Sequence, residues 1–150
     1  MYRKIMVPLD GSELAEYVLP HAINIVEKEG AKLELVIVVE LFEMPVHGGV
    51  VIDEDAVKQI QHQQSLVAED YVKRIEESLK SRNIDVTSAV LSGKVADSLI
   101  DYAANNDIDL IIMGTHGRSG VSRWIWGSIA DKVLHSSTVP VLLVHPAIKK

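Results

Sequence analysis

The chain of 150 residues contains no cysteine. Disulfides and thiolate metal sites are therefore excluded, and a reducing cytoplasm is the compartment that fits. No apolar run approaches the roughly 20 residues that a helix needs to cross a bilayer. The opening stretch Met1-Tyr-Arg-Lys-Ile-Met-Val-Pro8 has too short an apolar run for a secretory signal. A basic stripe is also missing. Fifteen Lys and Arg stand against 21 Asp and Glu, a net charge of −6, so nucleic acid is not an expected partner.

Common catalytic signatures are absent as well. No Gly-Lys-Ser/Thr closes a Walker A loop, and no Gly-x-Gly-x-x-Gly marks a dinucleotide site. The six histidines show no pair at metal-ligand spacing on a helix. Asp10, His116 and Ser128 have the residue types of a hydrolase triad, but no Gly-x-Ser-x-Gly nucleophile elbow accompanies them. His116 reads better as a loop residue used through its backbone.

What is present is a globular composition, 47% apolar and 24% charged, of a length that suits one domain with one sizeable core. The most informative stretch runs from Leu110 to Ala130. Leu110-Ile-Ile-Met113 has the composition of a buried strand. Gly114 and Gly117 then break it, and a helical pattern begins at Gly127-Ser128. Glycines let backbone N–H groups approach an anion closely, and the positive end of the helix dipole would point at the same place. The Ser128 hydroxyl could donate to a phosphate oxygen or cap the helix. Because the acidic chain repels a polyphosphate at long range, local amides and a few cations would have to hold one. Arg118, Arg123 and Lys132 are the nearest in sequence.

The rest of the chain alternates strand and helix patterns. Lys4–Leu9 reads as a first strand. A helix follows with Leu14, Ala15, Val18, Leu19, Ala22, Ile25 and Val26 inward, Asp10/Glu13 or Ser12 as its cap, a kink at Pro20 and a stop at Gly30. Leu33–Val39 is apolar at nearly every position, as an interior strand would be. The connection Leu41–Asp55, with Pro45, His47, Gly48 and Gly49, is longer than the usual four to six or so residues. A lid or mobile loop over a site would account for it, although a variable insertion is the simpler reading. Asp53-Glu54-Asp55 reads as an acidic helix start, and Val57, Ile60, Gln64, Val67, Tyr71, Ile75 and Leu79 as the inward stripe of a long helix. Val86–Leu91 alternates like an edge strand, Val95–Asn105 is helical, Asp109–Met113 is a strand, Ser128–His135 a helix, and Val141–Val144 a last strand. Strands alternating with helices in this way give a doubly wound α/β fold with a parallel sheet.

The spacing Gly114, two residues, Gly117, nine residues, Gly127-Ser128 resembles the signature of the ATP-binding branch of the universal stress protein family. The resemblance extends to Ile-Met-Val-Pro-Leu-Asp-Gly-Ser at the start, Met-Gly-Thr-His-Gly-Arg-Ser-Gly in the middle and Val-Pro-Val-Leu-Leu-Val at the end. It implies a five-stranded Rossmann-like sheet of order 3-2-1-4-5, related to the adenine nucleotide alpha hydrolases, as a single domain over residues 1–150. The crevice would lie between the first and fourth strands, with Asp10 and Gly114 on opposite walls. ATP with Mg²⁺ is the implied ligand, and a homodimer through Val141, Leu142, Leu143 and Val144 the implied assembly.

In that frame Pro8 and Leu9 form an apolar wall, and Asp10 accepts hydrogen bonds from ribose hydroxyls or holds a metal beside the phosphates. Val38 offers backbone groups to the adenine edge. Gly114, Gly117, Gly127 and Ser128 frame the phosphates, Arg118 pairs with one of them, and Met113 and Ile129 complete the nucleotide-binding set. The family often carries His where Ile37 stands here, a departure that leaves a backbone contact open. Trp124 and Trp126 read as packing for the loop or a partner subunit. Two other functions compete. An ATP-using hydrolase or transferase of a related fold is one, although its Ser-Gly-Gly-x-Asp-Ser loop is replaced here by Pro8-Leu-Asp-Gly-Ser12. A structural dimer without nucleotide is the other.

Overall fold

The structure is a computed structural model describing residues 1–41, 53–115 and 127–146, with all their side chains but those of Glu13 and Leu14. In chain order the elements are β1 (Lys4–Leu9), α1 (Glu13–Glu16), α2 (Leu19–Glu29), β2 (Lys32–Glu40), α3 (Glu54–Lys80), β3 (Val86–Gly93), α4 (Val95–Asn105), β4 (Leu110–Gly114), α5 (Ser128–Ser136) and β5 (Val141–Val144). The strands form one sheet in the order β3-β2-β1-β4-β5, and every pairing is parallel. Met6 of β1 stands in register with Glu34 on one side and Ile111 on the other.

Successive side chains of a strand point to opposite faces, so each strand feeds two cores. Ile5, Val7, Leu33, Leu35 and Ile112 pack with Val18, Ala22, Val26, Val72 and Leu79. Met6, Val36, Ile111 and Met113 pack with Ala96, Leu99, Ala103, Ala130 and Val133 on the other face. This two-sided burial explains why β2 reads as a continuous apolar run. Its one buried charge, Glu34, is fully engaged. It accepts hydrogen bonds from Thr87 Oγ1 at 2.8 Å and Tyr102 Oη at 2.9 Å, and pairs with Lys4 Nζ at 3.4 Å. Burial, and then the bond to Glu34, pushes the Tyr102 phenol up to about 12.

Several expectations change. The first helix is split rather than kinked. Pro20 falls in the first turn of α2, where a missing N–H costs nothing. Ser12, not an Asp10/Glu13 box, caps α1. Its hydroxyl accepts the Ala15 N–H at 3.1 Å. Gly30 ends α2 as expected, at φ 66°. On α3 the buried line is Ala68, Val72, Glu76 and Leu79, whereas Ile60 and Val67 are 53% and 69% exposed. The helix rests on the sheet only through its second half. Its first half faces a cavity, so the apolar stripe there has no core to enter. Asp53 caps α3 by accepting the Asp55 N–H at 3.0 Å, so the connection ends at Asp53 rather than Asp55. Pro45, His47, Gly48 and Gly49 lie outside the described residues.

Candidate functional site

The winding reverses between β1 and β4, and ligands of such sheets bind beyond the carboxyl ends of the strands at that point. A cavity of about 1480 Å³ opens there. The first half of α3 forms one wall, and four further segments come from strand ends or a helix start. Pro8, Leu9, Asp10 and Gly11 follow β1, Val38 lies near the end of β2, Met113, Gly114 and Thr115 end β4, and Gly127, Ser128 and Ile129 open α5. The structure thus brings together every site residue read from the sequence except Gly117 and Arg118, which lie outside the described residues, as do His116, Arg123, Trp124 and Trp126.

Asp10 is held in place locally. Its Oδ1 accepts the Ser12 N–H at 2.9 Å and the Ser12 hydroxyl as well. Gly11, at φ 82°, makes the sharp turn that brings Ser12 back to it.

The entry to α5 is anchored to β4. The Gly127 N–H donates to Thr115 O at 2.8 Å, and the helical ladder starts with Asp131 N–H to Gly127 O at 2.9 Å. The N–H groups of Ser128, Ile129 and Ala130 precede that first helical bond and are the donors a helix start offers to an anion. Gly127 is the N-cap and makes no side-chain cap bond, so Ser128 is the first helical residue rather than the cap. Gly127 has φ −49° and ψ 138°, angles that any residue adopts. Backbone freedom therefore does not call for a glycine there.

Charge in and around the cavity differs from the linear reading. Lys132 is engaged with Asp97 at 2.8 Å across α4 and α5. Lys58 and His62, on the cavity side of α3, were not singled out by the sequence, nor were Gln59 and Gln63 beside them, and Tyr71 was read only as part of the inward stripe. The signal available was the run Lys58-Gln-Ile-Gln-His-Gln-Gln64, where the apolar stripe of α3 thins. The Tyr71 hydroxyl is enclosed and faces the Glu16 carboxylate. Burial, and then the carboxylates of Glu16 and Asp10, raise its pKa above the ordinary phenol value, which keeps it a donor. Among the described residues no three His, Asp or Glu side chains gather as a metal site.

A parallel, doubly wound sheet with a cavity at its reversal point and a helix start facing into it defines the Rossmann-like class of nucleotide-binding folds. Within that class the chain belongs to the universal stress protein family, whose model matches residues 1–145. A curated relative, universal stress protein MJ0531 of Methanocaldococcus jannaschii, is 29% identical over 147 residues, spanning 96% of this chain and 82% of that protein. The solved structure of MJ0577 from the same organism superposes with a TM-score of 0.86 at 25% identity, covering 99% of both chains. The fold is shared by a universal stress protein from Archaeoglobus fulgidus solved in complex with dAMP, at TM-score 0.64 and 21% identity over 95% of this chain and 97% of that one.

Proposed function

We propose that the chain binds ATP in this cavity and acts as a homodimeric, nucleotide-dependent stress sensor or regulator in the cytoplasm, with at most slow hydrolysis. The whole chain serves as one domain in this reading. The observation that carries it is the convergence on one cavity of an oriented carboxylate at Asp10, the stretch of β2 at Val38 that runs past the last β1 pairing at Ile37, and the N–H groups that precede the helical ladder of α5. Asp10 accepts from the ribose hydroxyls, backbone groups at Val38 meet the adenine edge, and Pro8 and Leu9 pack on the apolar face. The amides of Ser128 and Ile129 take the phosphates, with Gly127 leaving them room. Met113 and Gly114 close the β4 wall. Gly117 and Arg118 join the phosphate end by family resemblance. The dAMP held by the Archaeoglobus fulgidus protein is an adenine nucleotide on the same fold.

Mg²⁺ usually binds through one or two carboxylates plus substrate phosphates, and a single carboxylate at Asp10 fits that mode. The ion would neutralise phosphate charge that this acidic chain otherwise repels. Slow turnover follows from the lack of a P-loop lysine and of a nucleophile elbow.

Mass spectrometry of small molecules released on denaturing the purified protein tests the reading. ATP, or another adenine nucleotide that competes with it, is expected. Recovery of none, with no binding of added Mg-ATP by calorimetry, would favour the structural dimer instead.

A further inference from the structure

We infer that Tyr17 positions the phosphate-facing end of the cavity, and that Gly114 is glycine to make room for the Tyr17 hydroxyl rather than for a ligand. The inference rests on the nucleotide reading above for its consequence on binding, but not for its geometry.

Gly114 ends β4 and is the first glycine of the spaced motif. Its φ is not in the left-handed region that holds Gly11, Gly30 and Gly93, so backbone freedom does not explain it. Space does. A Cβ built at residue 114 would stand 2.7 Å from Tyr17 Oη, 3.2 Å from Cζ and 3.4 Å from Cε1. Tyr17 comes from the junction between α1 and α2, so the contact ties the segment after Asp10 to the end of β4.

The Tyr17 hydroxyl does more than fill that space. It donates to the carbonyl of Val144, the last residue of β5. The same carbonyl accepts the Thr115 N–H at 3.2 Å, and the Thr115 carbonyl accepts the Gly127 N–H at 2.8 Å. Thr115 is 1% exposed, so its backbone groups have no water to turn to. A continuous path of hydrogen bonds therefore runs from Tyr17 through Val144 and Thr115 to Gly127, the N-cap of α5. Its far end sets where the Ser128 and Ile129 amides point. Small misplacements of such groups weaken binding strongly, because each donor must meet its acceptor within narrow limits. The path passes through the outer strand at Val144, so it also joins the cavity to the edge of the sheet.

The test uses four full-length proteins: wild type, Tyr17→Phe, Gly114→Ala and the double variant. Affinities for Mg-ATP and for adenosine are measured by calorimetry, and melting temperatures without ligand by circular dichroism. Tyr17→Phe removes one hydrogen bond and should weaken Mg-ATP by about three- to tenfold. Adenosine has no phosphates and should change less than about twofold, since a net hydrogen bond is the smallest loss that would exceed that. Gly114→Ala should lower both ATP affinity and melting temperature in wild type. In the Tyr17→Phe background it should cost clearly less, because the atom at 2.7 Å is gone. Equal costs of Gly114→Ala in the two backgrounds, or equal losses of ATP and adenosine in Tyr17→Phe, would overturn the inference. If wild type binds neither ligand, the nucleotide reading fails alone. The melting temperatures then still decide whether residues 17 and 114 are coupled, with additive effects refuting it.

Discussion

The carboxylate of Glu76 on α3 accepts a hydrogen bond from the Ser88 hydroxyl on β3, in a side chain that is only 4% exposed. Lys80 and Lys73 from the same helix face supply two further N–H donors. Burial alone would push this carboxyl up. The bonds from Lys80, Ser88 and Lys73 outweigh it and hold the group at about 2, against an ordinary value of 4.5. The group is the polar rivet between the long helix and the edge strand β3.

Acid should therefore release that rivet. A carboxyl held low in the folded state contributes stability that is complete above its unfolded pKa. That contribution is lost as pH falls through the interval from 4.5 toward about 2. Wild type should lose on the order of 1–3 kcal/mol more than Glu76→Gln over this interval, since each pKa unit corresponds to about 1.4 kcal/mol and the lysine heads are partly solvated. Urea denaturation at a series of pH values measures it. Parallel curves for the two proteins would refute the assignment.

Gly127→Val should abolish ATP binding while sparing the fold. The residue has angles open to valine, but its side chain would intrude where phosphates approach the Ser128 and Ile129 amides. With Mg-ATP a hundredfold above its dissociation constant, wild type should gain roughly 5–10 °C in melting temperature. The variant should gain almost none. Equal shifts would place the phosphates elsewhere.

The last strand should carry the dimer. Among the described residues β5 pairs only with β4, and Leu142 on it is 40% exposed. An apolar outer edge invites a second copy related by a two-fold axis. Light scattering should give a dimer for wild type and a monomer for Leu142→Arg, with unchanged circular dichroism. A monomeric wild type at micromolar concentration, with and without ATP, would rule the interface out.

Turnover of ATP should stay below the range of about 1–1000 per second typical of enzymes. Phosphate release within that range from pure protein, sensitive to Gly127→Val, would move the protein to the enzyme class.

Local chemistry was enough to place most elements. Gly30 stops α2 because glycine takes the left-handed cap without strain, and Asp53 starts α3 because its carboxylate satisfies an orphan N–H. The continuous apolar run of β2 reported an interior strand, since burial on two faces selects that pattern, and β3 is an edge strand as read, although its side chains are half-buried along most of its length rather than on one face. Strand order did not follow from periodicity. It came with the family resemblance, because pattern alone leaves the pairing of strands open.

Tertiary structure decided what depends on residues distant in the chain. The first half of α3 has a helical stripe, but whether Ile60 and Val67 meet a core or a cavity depends on how far the sheet extends beneath them. Gly114 looks in the sequence like any phosphate-loop glycine. Only the packing of the α1–α2 junction against β4 shows that a tyrosine hydroxyl occupies the space its side chain would need. Residue type specifies what a position can do locally, whereas steric exclusion between remote segments decides which of those uses is realised.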